Sequence, residues 1–405
     1  MVRSKIALTP NSIKYILTLR YNLTKKPQIH PRNWRDFVER STENVSKNAE
    51  SLIISNIKKS VRNSAKTKTA IALSSGVDST LVLSLLRKTC PDVKINAVSI
   101  KFSDSTDETK HAAKIAQIFD AEHHVVYVEN YLRELPAAIK IIGQPFWDLH
   151  WYHVVKKAKT LGESLVSGDG GDELFGGYTF RYEKFLSLTK KNSTPLQKTR
   201  AYIQCHDRDW VADQENIFGA KLGFSWNQIY SKILPYFDNP LPPLSQVLLA
   251  DFNGKLLYNW IPLNTKIHEH FKVKPVTPIL SKETIEFATH LPLNFKYDPK
   301  NNTGKLVLRE ILHKYSLEKL LISKKQGFSV DTTNLWHSHG YNLCSYYLSG
   351  GNVIKQKWIS ESWIKKHLQK DLDVRYVNKF LGILALEIWY RIFVSKQMKS
   401  TEILS

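Results

Sequence analysis

Two glycine-containing loops carry the residues of this chain that are best suited to chemistry. Residues 73–79 read LSSGVDS, and residues 167–178 read SGDGGDELFGGY. Together the loops offer glycine backbone amides, serine hydroxyls and several carboxylates. Amides and hydroxyls bind phosphate oxygens, whereas carboxylates repel them unless a metal ion lies between. The two loops in this order therefore predict a site for a magnesium-bound nucleoside triphosphate.

The first loop joins a predicted strand to a predicted helix. Residues 69–73 form a short apolar run, and the apolar residues 81, 82, 85 and 86 fall on one face of a helix that stops before Pro91. The amides and dipole of the helix N-terminus favour an anion. The hydroxyls of Ser74 and Ser79 can donate hydrogen bonds to phosphate. The Asp78 carboxylate would repel phosphate unless Mg²⁺ lies between the two. The alternative is an ordinary strand-to-helix turn with a serine cap. The loop is not a Walker A motif, because it does not end in Gly-Lys-Ser/Thr.

The second loop follows a short predicted strand at residues 164–166. Its glycines permit positive φ angles and close approach of the backbone. Asp169, Asp172 and Glu173 place three carboxylates within five residues. Such a cluster costs free energy unless it is solvated, binds a metal or handles protons. A solvated acidic turn is the alternative interpretation.

Both loops resemble motifs of one superfamily. The first is similar to the SGGxDS motif of the PP-loop ATP pyrophosphatases, with Ser75 in place of the commoner first glycine. The second closely resembles the SGEGxDELFGGY signature of the asparagine synthetase synthetase domain. Weaker similarities extend the resemblance from about residue 44 to about residue 394. They lie at residues 107–126, 144–148, 324–329 and 381–393. Within the first of these segments we expect a helix that begins with a capping box of Ser105 and Glu108, followed by a His123-His124 pair with a structural role.

The resemblance implies a fold and a set of site residues. The expected fold is α/β, a parallel sheet with flanking helices of the PP-loop, adenine-nucleotide α-hydrolase-like type, plus a mainly helical C-terminal lobe. ATP and Mg²⁺ are the implied ligands, with Mg²⁺ on Asp78 and Asp172. Lys325 matches the family lysine that contacts the phosphates, and Asp169 stands where the family usually has a glutamate near the intermediate, so both are candidate catalytic residues. The expected ATP-binding residues are Leu73, Ser74, Ser75, Gly76, Val77, Asp78, Ser79, Ile100, Ser167 and Gly168.

The predicted organisation has three parts. Residues 1–42 are an N-terminal extension, 43–180 the PP-loop ATP-binding domain, and 181–405 a mainly helical lobe that completes the acceptor site. Only some seventy residues precede the first loop, and an apolar stripe at 45–61 predicts a helix there. We therefore expect no built-in glutaminase. Nitrogen would come from ammonia, from an amine substrate or from a separate glutaminase partner.

Composition favours a cytoplasmic enzyme. Three cysteines argue against a disulfide framework, and no segment resembles a signal peptide or a membrane span. The net charge of +21 suits an anionic partner. The lysines are scattered, however, which favours a solvated basic surface over a nucleic-acid interface.

One segment departs from the family pattern. Where relatives read like LEVRVPFLD, residues 273–281 read VKPVTPILS. Aligned on Pro278, Lys274 replaces an acidic residue, Val276 an arginine and Ser281 an aspartate. The leading hypothesis is an AMP-forming amide ligase that converts aspartate to asparagine. The alternatives are adenylation of another acceptor (a peptide or lactam cyclase, or a tRNA-modifying enzyme) and a non-catalytic nucleotide-binding relative.

Overall fold

A five-stranded parallel sheet forms the centre of the fold in the computed structural model, which describes residues 8–62, 66–103, 105–321 and 330–405. The strand order is β3-β2-β1-β4-β5. The chain builds the sheet outward from β1 to β3 and then returns to the other side of β1 with β4. Parallel α/β sheets bind ligands outside the carboxyl ends of the strands where this order reverses. Strands β1 to β5 span Lys68–Ala72, Lys94–Phe102, Glu122–Val128, Ser164–Val166 and Lys274–Val276.

Helices cover both faces of the sheet and make up most of the C-terminal half. Helices α1 to α10 span Pro10–Leu19, Val45–Ser60, Val77–Thr89, Thr109–Ile118, Leu135–Ile142, His150–Ala158, Gly171–Phe175, Thr179–Leu188, Pro195–Gln204 and Trp226–Ile233. Helices α11 to α19 span Pro243–Asp251, Ile261–Phe271, Lys282–His290, Leu306–Lys314, Thr332–Leu335, Tyr341–Leu348, Asn352–Lys355, Glu361–His367 and Val374–Phe393. A two-stranded hairpin, β6 (Tyr297–Asp298) with β7 (Thr303–Gly304), precedes α14. The predicted parallel sheet with flanking helices and a mainly helical C-terminal part is confirmed.

Two hydrophobic cores lie on opposite faces of the sheet because side chains alternate along each strand. Ile71 and Val166 point into a core shared with α2, α3 and α14. Ala70, Ala72 and Leu165 point into the other core, which α5, α6, α12 and the long C-terminal helix α19 complete. Each core draws residues from all three predicted parts of the chain. The fifth strand, which lies beyond residue 180, pairs with β4.

The local predictions near the first loop have mixed outcomes. The predicted strand at 69–73 is confirmed as β1, the predicted helix at 45–61 as α2, and the helix predicted after the first loop as α3; their bounds agree within one residue or a few.

The predicted capping box of Ser105 and Glu108 is wrong. The Ser105 hydroxyl accepts from the Asp331 amide, whereas Asp107 accepts from the Thr109 amide at 2.9 Å and caps α4. The two histidines are structural, as expected, and bond to Ser99 and Asn96 of the neighbouring strand.

A π-helical segment lies between α11 and α12, which it joins without a loop. Phe252–Trp260 is π-helical, and the Ile261 amide bonds back to the Leu256 carbonyl, five residues earlier. Pro262 lies in the first turn of α12 and has no amide proton to continue the α pattern. Such π segments occur often at functional sites because they reorient side chains. Within the described residues, no helix combines the length and apolar character needed to cross a bilayer.

A buried ion pair fixes the start of this π segment. Arg181 of α8 contacts Asp251, the last residue of α11, and both side chains are almost fully buried. Tyr202 donates to the second Asp251 oxygen at 2.8 Å, and Arg181 also bonds to His206. A pair buried this completely leaves an uncompensated charge if one partner is removed.

We therefore expect Arg181→Met to lower the free energy of unfolding by about 3 kcal/mol or more, since Asp251 would stay buried without its counter-ion. Urea unfolding at neutral pH measures this change. Lys184→Met is the matched control, because Lys184 lies on the same helix and pairs with Asp207 at the surface. That variant should lose at most about 1 kcal/mol. Equal losses in the two variants would contradict a structural role of the buried pair.

Candidate functional site

The two predicted loops meet where β1 and β4 end. Residues 73–76 leave β1 and lead into α3 at Val77, and residues 167–170 leave β4 and lead into α7. A Cβ atom built on Gly168 would lie 2.6 Å from the Asp78 Cβ. Only glycine allows the second loop to come this close to the first. The structure therefore brings together the predicted residues of both loops at the point where the strand order reverses.

The first loop is ordered by its own hydroxyls. Ser79 donates to the Ser74 carbonyl at 2.8 Å, and the hydroxyls of Ser74 and Ser79 lie 3.0 Å apart. The Ser75 side chain is fully buried and contacts Glu108 at 3.3 Å, so its hydroxyl serves the fold. The Leu73 carbonyl accepts from the Ser99 hydroxyl at 2.7 Å, which places residue 73 beside β2 just before Ile100.

An ammonium group joins the carboxylates of the two loops. The Lys305 Nζ atom lies 2.5 Å from Asp78 Oδ2 and 2.6 Å from Asp172 Oδ1. Burial alone would lower the pKa of Lys305, but the charges of Asp172 and Asp78 outweigh it and raise the pKa. Lys305 is 6% exposed and Asp78 is 8% exposed. The two carboxylates predicted to hold a metal thus form a cation site, and a lysine occupies it.

The surroundings of this cation site fit a divalent metal ion with phosphate. The second oxygen of Asp78, Oδ1, is buried and has no hydrogen-bond partner among the described residues. A Cβ atom on Gly177 would lie 1.8 Å from Asp172 Oδ1 and 2.4 Å from Lys305 Cε, so glycine is required there. Carboxylate oxygens are hard ligands suited to Mg²⁺, which usually takes one or two of them and completes its shell with phosphate and water. Asp78 and Asp172 would hold that ion.

Asp169 lies in a different environment from Asp172 of the same loop. Burial raises the pKa of Asp169 to about 7, and the nearby charges of Glu173 and Asp78 add to the rise. Hydrogen bonds from Ser167, whose hydroxyl lies 2.8 Å from Asp169 Oδ2, and from the Trp260 indole oppose it. A carboxyl group with a pKa near neutrality can accept or donate a proton at physiological pH.

The second loop ends at a tyrosine, Tyr178, whose ring lies between two cationic side chains. Tyr178 donates to Glu173 Oε1 at 2.5 Å. Its ring lies 4.1 Å from the Arg181 guanidinium carbon and 4.9 Å from the Lys255 ammonium, centroid to atom. Burial raises the pKa of Glu173, and the charge of Asp172 raises it further. Lys255 and Trp260 both belong to the π-helical segment, which therefore faces this loop.

Several of these residues were not predicted from the sequence. Trp260, Lys305 and Lys255 all lie outside the motifs that the sequence analysis identified. The available signal for Lys305 was weak, namely a Gly-Lys pair directly before an amphipathic helix. Lys305 has a left-handed backbone, with φ of 61°, which is unusual for a lysine. The predicted catalytic Lys325 lies outside the described residues.

Fold and site together define an α/β protein with a cation site, built from both loops, where the strand order reverses. The chain belongs to the asparagine synthase family, whose match covers residues 53–391. It is similar to asparagine synthetase [glutamine-hydrolyzing] 1 of Bacillus subtilis, with 25% identity over 375 residues that cover 82% of this chain. The chain spans 57% of the length of that relative.

Two solved structures show distant similarity. NMN synthetase from Francisella tularensis is 15% identical with a TM-score of 0.25, over 58% of this chain and 97% of that one. The U34-tRNA thiolase NcsA from Methanococcus maripaludis is also 15% identical with a TM-score of 0.25, over 57% and 78% of the two chains. Similarity at this level does not bear on the activity of the chain.

The lysine between the two carboxylates gives a testable prediction for metal binding. Lys305→Met removes the cation and leaves Asp78 and Asp172 facing each other, so we expect Mn²⁺ without nucleotide to bind this variant at least tenfold more tightly than the wild type. Titration followed by electron paramagnetic resonance measures the affinity, and thermal unfolding should show metal-dependent stabilisation of the variant. Lys305→Arg keeps the charge and is the control. Equal Mn²⁺ affinity in all three proteins would show that Lys305 does not occupy the cation position.

Proposed function

We propose that the chain is an ATP-dependent, AMP-forming amide ligase that activates a carboxylate and transfers it to ammonia or an amine. Aspartate to asparagine is the leading reaction. The observation that carries the proposal is the single cation site built by both loops, with Asp169 beside it. The asparagine synthase family and the strand-order reversal support the same reaction class.

The first step places charge on phosphate oxygens, and this chain offers fixed groups to stabilise it. The triphosphate would lie over residues 74–79, where the amides at the start of α3 and the Ser74 and Ser79 hydroxyls face it. The backbone near Leu73 and Ile100 would contact the adenine, and the Ser167-Gly168 backbone would meet the nucleotide from the other loop. A carboxylate oxygen attacks the α-phosphorus, the bond to the bridging oxygen breaks, and pyrophosphate leaves. Lys305 stabilises the negative charge on the departing phosphates.

Magnesium held by Asp78 and Asp172 would supply charge neutralisation on the phosphate oxygens. Lys305 would lie within reach of the same oxygens, since its side chain already contacts both carboxylates. Lys325, at the position of the family lysine, is the second candidate cation.

The second step forms the amide and needs a proton acceptor. Ammonia or an amine attacks the acyl-adenylate carbonyl, the acyl–oxygen bond to AMP breaks, and the nitrogen loses a proton. Asp169 is the candidate acceptor of that proton, because its ionised form predominates above pH 7. Ammonia could arrive free or from a separate glutaminase, and the charge of +21 leaves an anionic acceptor such as tRNA as the alternative.

Pyrophosphate release from Mg·ATP tests the proposal, with L-aspartate and ammonium as substrates and mass detection of asparagine. We expect aspartate-dependent release, and a loss of at least a hundredfold in Asp78→Asn, since one neutral amide oxygen cannot replace the carboxylate. Asp371→Asn is the control, because its side chain is almost fully exposed. Release with tRNA or a peptide but not with aspartate would favour the alternative acceptor. Nucleotide binding without any release would favour a non-catalytic relative.

The pKa of Asp169 predicts the pH dependence of amide formation. At a fixed concentration of unprotonated ammonia, kcat should rise about tenfold per pH unit below pH 7 and level off above it, because only ionised Asp169 accepts the proton. Asp169→Asn should lose this rise together with most of the activity. A rise centred near pH 4 would contradict the assignment.

The same shift predicts a gain of stability in that variant. The folded-state pKa of Asp169 lies above its unfolded value, so Asp169 destabilises the fold once pH exceeds the unfolded pKa, and the cost is complete above pH 7. Asp169→Asn should therefore be more stable than the wild type at pH 8, by about 1 to 2 kcal/mol once partial solvent screening is allowed for. The two proteins should unfold alike at pH 3. Urea unfolding at both pH values measures the difference.

A further inference from the structure

Strand β3 leaves one edge of the five-stranded sheet open. The strand order places β3 at one end of the sheet and β5 at the other. All seven residues of β3 pair with β2 on one side, and no strand pairs with its other side in the part of the chain that the structure describes. The backbone amides and carbonyls on that outer side are therefore available to a further strand.

The two edges of the sheet differ in how well they are protected. β5 has only three residues, and its exposed positions are Lys274 and Pro275. A charged side chain and a proline at an edge both discourage the addition of another strand. β3 contains neither a lysine nor a proline over its seven residues. The β3 edge is therefore the one that suits strand addition.

Apolar side chains are exposed along this edge. Val125 is 44% exposed and Tyr127 is 61% exposed. The two side chains project from the same face of the sheet because they are two residues apart. Helix α4 packs against β3, and its last residue, Ile118, is 54% exposed. β-branched and aromatic side chains are the ones that pack well against the residues of a neighbouring strand.

The helices on the two faces of β3 surround the edge with positive charge. Lys110 and Lys114 are exposed on α4, one helical turn apart. On the other face, burial lowers the pKa of His124 in β3, and the charge of Lys157 in α6 lowers it further. Among the described residues, these three lysines form no ion pair. Their charges are therefore available to an anionic partner.

The carboxylates beside the strand do not neutralise these lysines. Glu122 pairs with Lys94 at 2.7 Å, and Asp107 pairs with Lys101 at 2.9 Å. A second copy of this chain, with its net charge of +21, would bring more positive charge to the edge. An acidic segment would instead be attracted to it. Charge complementarity thus favours an acidic partner over self-association.

We propose that the β3 edge binds an extended acidic segment of a partner protein, which joins the sheet as an added strand. Main-chain hydrogen bonds provide the affinity, and Val125 and Tyr127 contact alternate apolar side chains of the added strand. The lysines of α4 and α6 attract its carboxylates. The inference is independent of the proposed function, because β2 separates β3 from the strand that carries the first loop.

The test uses a fluorescein-labelled peptide of eight alternating glutamate and valine residues, titrated with the wild-type protein and followed by anisotropy. We expect saturable binding that is at least tenfold tighter than that of the matching lysine–valine peptide. Methylation of the peptide's backbone nitrogens removes the hydrogen-bond donors but keeps the charge, and should also weaken binding at least tenfold. Hydrogen–deuterium exchange should show that the bound peptide slows exchange at residues 122–128.

Paired charge reversals distinguish this edge from the general positive charge of the protein. The double variant Lys110→Glu/Lys114→Glu should weaken peptide binding at least tenfold. The double variant Lys190→Glu/Lys191→Glu changes the net charge equally, at an exposed turn between α8 and α9, and should stay within threefold of the wild type.

Tyr127→Asp tests the apolar contact without disturbing the core, since the side chain is largely exposed. It should weaken peptide binding at least tenfold. Tyr346→Asp is the control, because Tyr346 lies on α16 and is 74% exposed. The inference is overturned if the glutamate–valine peptide does not bind, if both charge reversals weaken binding equally, or if exchange slows elsewhere and not in β3. It is also overturned if the wild type sediments as a dimer and Tyr127→Asp as a monomer, since a second copy would then occupy the edge.

Discussion

The pairing of Lys305 with Asp78 and Asp172 is the interaction on which the site depends. Two carboxylates from loops that lie far apart in the sequence, the buried Asp78 and the partly exposed Asp172, face each other, and without a cation their repulsion would oppose the approach of the loops. The Lys305 ammonium contacts both, at 2.5 and 2.6 Å. The same contact explains the glycines, since Gly168 and Gly177 leave no room for a Cβ atom next to these carboxylates. The site is therefore organised before any ligand arrives.

An internal cation also limits how the site can be filled. A bare metal ion must displace a buried ammonium whose charge the carboxylates already stabilise. Under the proposed function, a metal ion that arrived with a triphosphate would bring negative charge as well, and the Lys305 ammonium would then exchange a carboxylate partner for a phosphate one. Charge balance in a partly buried site would therefore favour binding of the metal and the nucleotide as one complex.

Sequence patterns predicted the parts of the site that are local in the chain. Both loops and the strands and helices that flank them follow from short apolar runs and glycine-rich turns, whereas the order of the strands in the sheet was not predicted. Lys305, Trp260 and Lys255 could not be found in this way, because each reaches the site through tertiary packing from the C-terminal half. The capping box failed for a related reason. Ser105 is recruited by the distant Asp331 amide, and Asp107 takes over the cap of α4.

Two carboxylates of one loop show how far environment outweighs residue type. Asp172 lies 2.6 Å from the Lys305 ammonium. Asp169, three residues earlier, is held by a hydroxyl and an indole, and burial brings its pKa to about 7. The difference arises because α7 begins at Gly171, so that Asp172 turns toward α14 and Asp169 remains on the strand side, facing the π segment. The proposed division of labour, in which Asp172 holds a cation and Asp169 takes a proton, therefore depends on where this helix begins. The π segment, whose start is fixed by the buried pair of Arg181 and Asp251, supplies the Trp260 indole that contacts Asp169.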